Sequence, residues 1–220
     1  MKHIRKGKEP HSLLVHRKSY HAAYNNLPTN AKKEIRNTLL REQGYICCYC
    51  MERIREENTK IEHWKPQKRY PDLQLDYHNL LASCRGGEGR REDKQHCDTH
   101  KGEQEITINP SDKTKNCERF IKYRGSGKTD SEEPVIREEL NRILNLNTQT
   151  LVKNRKAIKD QVIKELNRIS GRNSVWLIQY VKKMIQKYES RHNGKYIPYC
   201  QVVVYFLKNR FANELSRGKI

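Results

Sequence analysis

The chain has 220 residues, of which 35% are hydrophobic and 32% charged, enough for a modest core in one medium unit or two small ones. No apolar run approaches the roughly 20 residues of a membrane-spanning helix. The start, Met1-Lys2-His3-Ile4-Arg5-Lys6-Gly7-Lys8, is basic without the apolar segment of a secretory signal, so the expectation is a cytoplasmic protein with no membrane partner. Its net charge of +19 is spread unevenly: +7 over residues 1–46, zero over 47–149 and +12 over 150–220. Basic flanks around a neutral middle suit a chain that grips a polyanion at its ends and keeps carboxylates for metal ligation between them; solvated lysine-rich helix faces are the plainer alternative.

Up to about Pro28 the sequence reads as an arm that docks on the body or on a partner, with a short apolar knot at Leu13-Leu14-Val15. Residues 29–43 are a predicted helix, capped by Thr29 or Asn30, with Ala31, Ile35, Leu39 and Leu40 at helical spacing and Gly44 as its stop. A strand follows from Thr59 to His63, then a loop through Trp64-Lys65-Pro66 and Tyr70-Pro71-Asp72, a turn fixed by Asn79, and a helix over residues 92–101. Ile106-Thr107-Ile108 and Cys117–Tyr123 alternate as strands do, the second turning at Gly125-Ser126-Gly127. The letters Gly127-Lys128-Thr129 are no phosphate loop, because the leading glycine of that motif falls on Lys122.

From Pro134 the pattern is helical. One stripe holds Val135, Ile136, Leu140, Ile143 and Leu144; a second holds Leu151, Ile158, Val162, Leu166 and Ile169. A third runs from Trp176, Leu177, Tyr180 and Val181 to Met184, Ile185 and Tyr188, and a last helix opening at Pro198 turns Val202, Val203, Phe206 and Leu207 inward.

The chemistry-bearing residues crowd between 47 and 101. Cys47 and Cys50 stand in C-x-x-C spacing, which lets two thiolates reach one metal from a tight turn, and Cys84 and Cys97 could close a tetrahedral site for structural Zn²⁺. A Cys47–Cys50 disulfide is the rival reading, but the sequence carries no secretory signal. Cys48 and His96 compete for ligand places, and softness favours Cys97 over His96. Cys117 and Cys200 are isolated. Between the cysteine pairs lies Glu62-His63, a hard carboxylate suited to Mg²⁺ or Mn²⁺ beside an imidazole able to take a proton from water. Neighbours on a strand face opposite ways, so a twist at the strand end is required to bring both to one phosphate.

Cys47-x-x-Cys50, Glu62-His63-Trp64-Lys65-Pro66, Asn79-Leu80, Cys84 and Cys97-Asp98-Thr99-His100-Lys101 together resemble the motif of the HNH, or ββα-metal, nucleases over about a quarter of the chain. The resemblance implies an α+β fold: a zinc-stapled ββα core over 45–130, an N-terminal basic arm and helix over 1–44, and a basic helical subdomain over 131–220. It implies His63 as general base, Glu62 and Asp98 as ligands of a catalytic divalent ion with His100 as the fallback, and Asn79 as the residue that ties down the loop bearing the base. Two departures stand out. Residues 85–96 are inserted within the second cysteine pair, and Asp98 stands where the family has His or Asn.

The wording Leu75-Asp76-Tyr77-x-Asn79-Leu80-Leu81-x-x-Cys84 followed by His-Cys-Asp-x-x-Lys-Gly is most similar to the HNH subunit of Septu-type and retron-linked anti-phage systems. That branch implies an endonuclease acting beside an ABC-type ATPase, and in the retron-linked systems a reverse transcriptase with its RNA/DNA product. A homodimer within the larger complex is compatible with it. DNA is the favoured substrate, with RNA of the tRNA type and a non-catalytic, zinc-stapled binding module as alternatives.

Overall fold

The computed structural model describes residues 1–169, 171 and 173–217. After α1 (His11–Arg17) comes α2 (Thr29–Glu42), with Ala31, Ile35, Leu39 and Leu40 buried as their spacing predicts. The expected side-chain cap from Thr29 or Asn30 does not form. Pro28 takes the cap position, its carbonyl accepting the Lys32 amide at 2.9 Å, and the Asn30 side chain turns to the Ala31 amide instead. The arm before α1 lies on the body: Met1 and Ile4 are buried, and the Ile4 amide donates to Pro110 O at 2.8 Å.

Strands β1 (Thr59–His63) and β2 (Leu80–Cys84) form an antiparallel pair with Thr59 opposite Cys84 and His63 opposite Leu80. Every residue of β2 is buried, because α2 and the short helix α3 (Cys97–Lys101) both pack on it. The single helix expected over 92–101 is therefore two pieces. A turn at Glu92–Lys94 ends in extended backbone at Gln95 and His96, where the His96 amide bonds to Gly86 O at 2.9 Å, and only then does α3 begin.

Two further expectations change. Ile106 and Ile108 are buried but not in a strand: the carboxylate of Glu139 accepts the amides of Thr107 and Ile108 and the Thr107 hydroxyl at 2.6, 3.1 and 2.7 Å, replacing a neighbouring strand. Cys117–Arg119 is a single turn, and the strand is confined to β3 (Lys122–Tyr123), paired with β4 (Thr129–Asp130) across the Gly125–Gly127 turn. Gly127 has φ +92°, and a Cβ there would stand 2.3 Å from Val152 O, so glycine is needed both for conformation and for close approach.

The C-terminal helices are α4 (Pro134–Glu138), a widened turn at Glu139–Ile143, α5 (Gln149–Asn167), α6 (Ser174–Glu189), α7 (Cys200–Arg210) and α8 (Ala212–Arg217). Leu140 and Leu144 of the first predicted stripe are core residues, whereas Val135 is 58% exposed. Of the second, Ile169 lies beyond the end of α5. Helix α7 opens two residues later than Pro198 because Tyr199 is left-handed at φ +56°. From Cys200 to Val204 every residue of α7 is buried, and the helix packs against α5 and α6. Arg155 on α5 is 1% exposed; its guanidinium donates to Gly127 O and Leu146 O, both at 2.6 Å, and so satisfies two loop carbonyls in the interior. No helix among the described residues is long and apolar enough to cross a membrane.

Candidate metal and catalytic centre

Cys47 and Cys50 lie in the tight turn after α2, where the Met51 amide donates to Cys47 O at 3.1 Å and Met51 itself has φ +65°. Cys84 ends β2, and Cys97, at φ +57°, opens α3. These four buried sulfurs lie within 4.8 Å of one another, with Cys47 to Cys97 and Cys50 to Cys84 both at 3.8 Å. A tetrahedron with Zn–S bonds of about 2.3 Å has sulfur–sulfur edges of about 3.8 Å, so the donor set and its spacing both fit zinc. All seven cysteines are free, which removes the Cys47–Cys50 disulfide reading.

Burial alone raises a thiol pKa, and it does so for Cys50 and Cys97; at Cys47 burial is outweighed by hydrogen bonds from Cys48 and the three other cluster thiols, which hold it well below the usual thiol range. Cys48 is buried outside the four, its amide on Ala82 O. His96 is not a ligand but a neighbour of one, with Nδ1 3.2 Å from Cys97 Sγ. The insertion within the second cysteine pair has a simple geometry. Gly86 and His96 meet backbone to backbone, and a Cβ on Gly86 would sit 2.0 Å from His96 O. The chain pinches shut there, so that Cys84-Arg85-Gly86 and His96-Cys97 make a short knuckle with residues 87–95 looped out.

On the other side of α3 stand the charged residues. Glu62 is 2% exposed and its Oε1 accepts from Tyr49 Oη at 2.7 Å and from Lys101 Nζ at 2.9 Å. Its carboxyl also hydrogen-bonds that of Asp98, and burial followed by that neighbouring acid pushes Glu62 well above the usual carboxylate range, with Lys101 opposing. Asp98 is shifted the other way: burial would raise it, but the hydrogen bond from Glu62 and the Lys60 ammonium at 3.0 Å hold it low. Two lysines flank the two acids, Lys60 on Asp98 and Lys101 on Glu62.

His63, at the end of β1, points its Nε2 at Gln74 O, 3.0 Å away, and the Tyr24 ring meets it edge-on at 4.5 Å. A carbonyl only accepts, so Nε2 carries the hydrogen and Nδ1 of the neutral ring is the free base. Burial keeps the ring below the ordinary histidine pKa against the pull of Gln74, and Asp98 lies near enough to raise it. Asn79 makes three backbone hydrogen bonds across the loop that follows the histidine: its Oδ1 accepts Lys65 N at 2.7 Å, and its Nδ2 donates to Lys65 O and Leu73 O at 3.0 and 3.2 Å.

Glu62, His63, Asn79 and Asp98 are therefore brought to one end of the hairpin. His100 is not: its Nδ1 lies 2.9 Å from Ile143 O, turned to the C-terminal segment. Sequence reasoning assigned no task to Lys101, Lys60, Tyr49 or Gln74. Lys101 is 1% exposed and also donates to His63 O at 3.0 Å; its position three residues after Asp98 on a helix was the available signal. The contacts of Tyr49 and Gln74 cross from one chain segment to another and leave no local pattern.

No protein-family model matches this sequence. Over 100 residues, 44% of the chain, it is 33% identical to the Septu protein PtuB of Bacillus thuringiensis, and the match spans 37% of that protein's length.

Proposed function

We propose that this chain is an HNH-type endonuclease and the nucleic-acid-cutting effector of a Septu-like anti-phage system, acting beside an ABC-type ATPase. What supports the reading is that His63, with a free Nδ1, and Glu62, beside Asp98, stand at one end of a β-hairpin whose other end holds a cysteine cluster fit for zinc. The similarity to the Septu protein PtuB supports the defence setting.

In this reading His63 Nδ1 takes the proton from the attacking water, while the bond from Nε2 to Gln74 O keeps the ring aimed and in the right tautomer. Asn79 fixes the loop that carries Gln74 and Lys65 against the strand end. Glu62 and Asp98, two hard oxygen donors in mutual contact, fit Mg²⁺ or Mn²⁺ and would hold it. When bound, that ion supplies positive charge to the phosphate and the leaving 3′ oxygen. Lys101, pinned between Glu62 and the His63 carbonyl, keeps the acid and the base in register. DNA is the proposed substrate and RNA the alternative.

A second reading is favoured by one observation: Lys60 and Lys101 already balance both carboxylates, as in a salt-bridged, zinc-stapled binding module without catalysis. Purified protein incubated with plasmid DNA and with total RNA in Mg²⁺ or Mn²⁺, with and without the ATPase, separates them. Cleavage abolished by His63→Ala supports the nuclease, and tight binding without cleavage under every condition supports the module.

A further inference from the structure

From sequence, the basic C-terminal flank reads as a general grip on a polyanion. The fold adds an aromatic and basic cavity built from separated segments. On α7, Tyr205, Phe206 and Arg210 line a cavity of about 340 Å³ with Tyr123 and Arg124 of the β3–β4 hairpin and Lys159 of α5. This is near the low end of the roughly 300–1,000 Å³ that ligand pockets occupy. The Tyr123 and Tyr205 rings meet at 71° with centroids 5.6 Å apart, fixing one aromatic wall. Tyr205 and Phe206 are half-buried, with ring surface left open to the cavity.

The charges are arranged for an anion. Three cations line the cavity and no carboxylate does. Arg124 pairs with Asp130, Nε to Oδ2 at 2.9 Å, and Lys159 donates to Gly125 O, so both are held in place. Arg210 has no carboxylate partner among the described residues, and its guanidinium sits 5.9 Å from the Phe206 ring centroid and 5.7 Å from that of Phe211. An uncompensated guanidinium over aromatic rings is the donor set for a phosphate next to a flat ring: the fork binds phosphate oxygens and the aromatic wall takes a π-face.

We propose that this cavity binds one nucleotide unit of a single-stranded nucleic acid, the base against Tyr205 and Phe206 and the adjoining phosphate on Arg210 and Lys159. The site deepens the nuclease reading by naming a single strand as the bound form, and it rests on that reading only for its purpose. The strand requirement follows from the aromatic wall, since a base must leave a duplex stack to meet it.

The test is fluorescence anisotropy of a labelled single-stranded 12-mer, in His63→Ala protein without added divalent ion, so that cleavage plays no part. Arg210→Gln and Tyr205→Leu should each weaken binding about tenfold, the first also lowering the steepness of the salt dependence by about one phosphate contact. Lys208→Gln is the control: it removes one charge from the same helix, but its side chain pairs with Glu189 at 2.6 Å away from the cavity. It should change binding less than twofold.

Equal losses from Lys208→Gln and Arg210→Gln would overturn the site in favour of diffuse attraction. Full affinity in Tyr205→Leu, or a duplex bound as tightly as the single strand, would overturn base stacking. A mononucleotide bound as tightly as the 12-mer would overturn the strand. Circular dichroism and thermal melting of each variant exclude misfolding as the cause. Failure of the nuclease reading registers separately, as unsubstituted protein that never cuts or as cleavage that survives His63→Ala.

Discussion

The β1–β2 hairpin has two ends with opposite chemistry. At one, Cys84 joins Cys47, Cys50 and Cys97 in a site of four soft donors, all buried. At the other, His63 joins Glu62 and Asp98 among lysines, with the imidazole only half-buried. Helix α3 links them, since Cys97 faces the thiolates and the next residue, Asp98, faces the acids. The contrast shows how a small core can carry a charged centre. The metal-fit end supplies rigidity that is indifferent to the chemistry, and the charged end is free to be adjusted as long as α3 stays in place.

This division of labour makes graded predictions. The largest effect should come from Cys50→Ser, which removes a thiolate from the rigid end: zinc content by elemental analysis should fall toward zero and cooperative thermal unfolding should vanish, in keeping with apparent zinc-binding energies of about 10–16 kcal/mol. A stable variant that still cuts would erase the contrast. Next is His63→Ala, expected to lower cleavage by at least about 10²-fold while leaving zinc content and melting temperature within error. Loss of zinc here would mean that the two ends are not separate.

Lys101→Met leaves a buried acid without its cation and should cost about 3–5 kcal/mol in urea unfolding. Lys60→Met removes the other lysine from the same pair of acids, but its side chain is 33% exposed, so the loss should stay below about 1 kcal/mol. Similar losses for both would show that burial does not separate the two lysines. Between these lies His96→Ala, which keeps all four sulfurs and removes the ring nitrogen beside Cys97; zinc affinity in a chelator competition should fall about tenfold, with cleavage at saturating zinc unchanged.

What could be read beforehand follows the same line. Helix α2, strand β1 and the Cys47–Cys50 pair were legible because each depends on local spacing: a 3.6-residue stripe, a short run ending at a turn, and C-x-x-C, whereas Cys84 and Cys97 were legible by residue type alone. The strand expected at 106–108 was not, and that expected at 117–123 was so only at 122–123, since the first is met by Glu139, more than thirty residues later, and the second begins as a turn. Val135 was placed inside because a stripe cannot register that α4 lasts a single turn and a half before its turn widens at Glu139. In the candidate centre the residue types were visible, but the tautomer of His63, set by Gln74, and the neutralising role of Lys101 needed the folded chain. His100 was a plausible ligand by type and is directed elsewhere by its contact with Ile143.

The pinch at Gly86 and His96 has a consequence for how such chains diverge. Because the backbone meets itself there, the distance along the sequence between the third and fourth sulfur carries no geometric meaning, and the nine intervening residues behave as an appendage whose length can drift while the knuckle is unchanged. What cannot drift is the crossing itself: any side chain at position 86 would push the His96 backbone away and open the knuckle. A search for relatives that fixes the gap and ignores the glycine would therefore weigh the two in the wrong order.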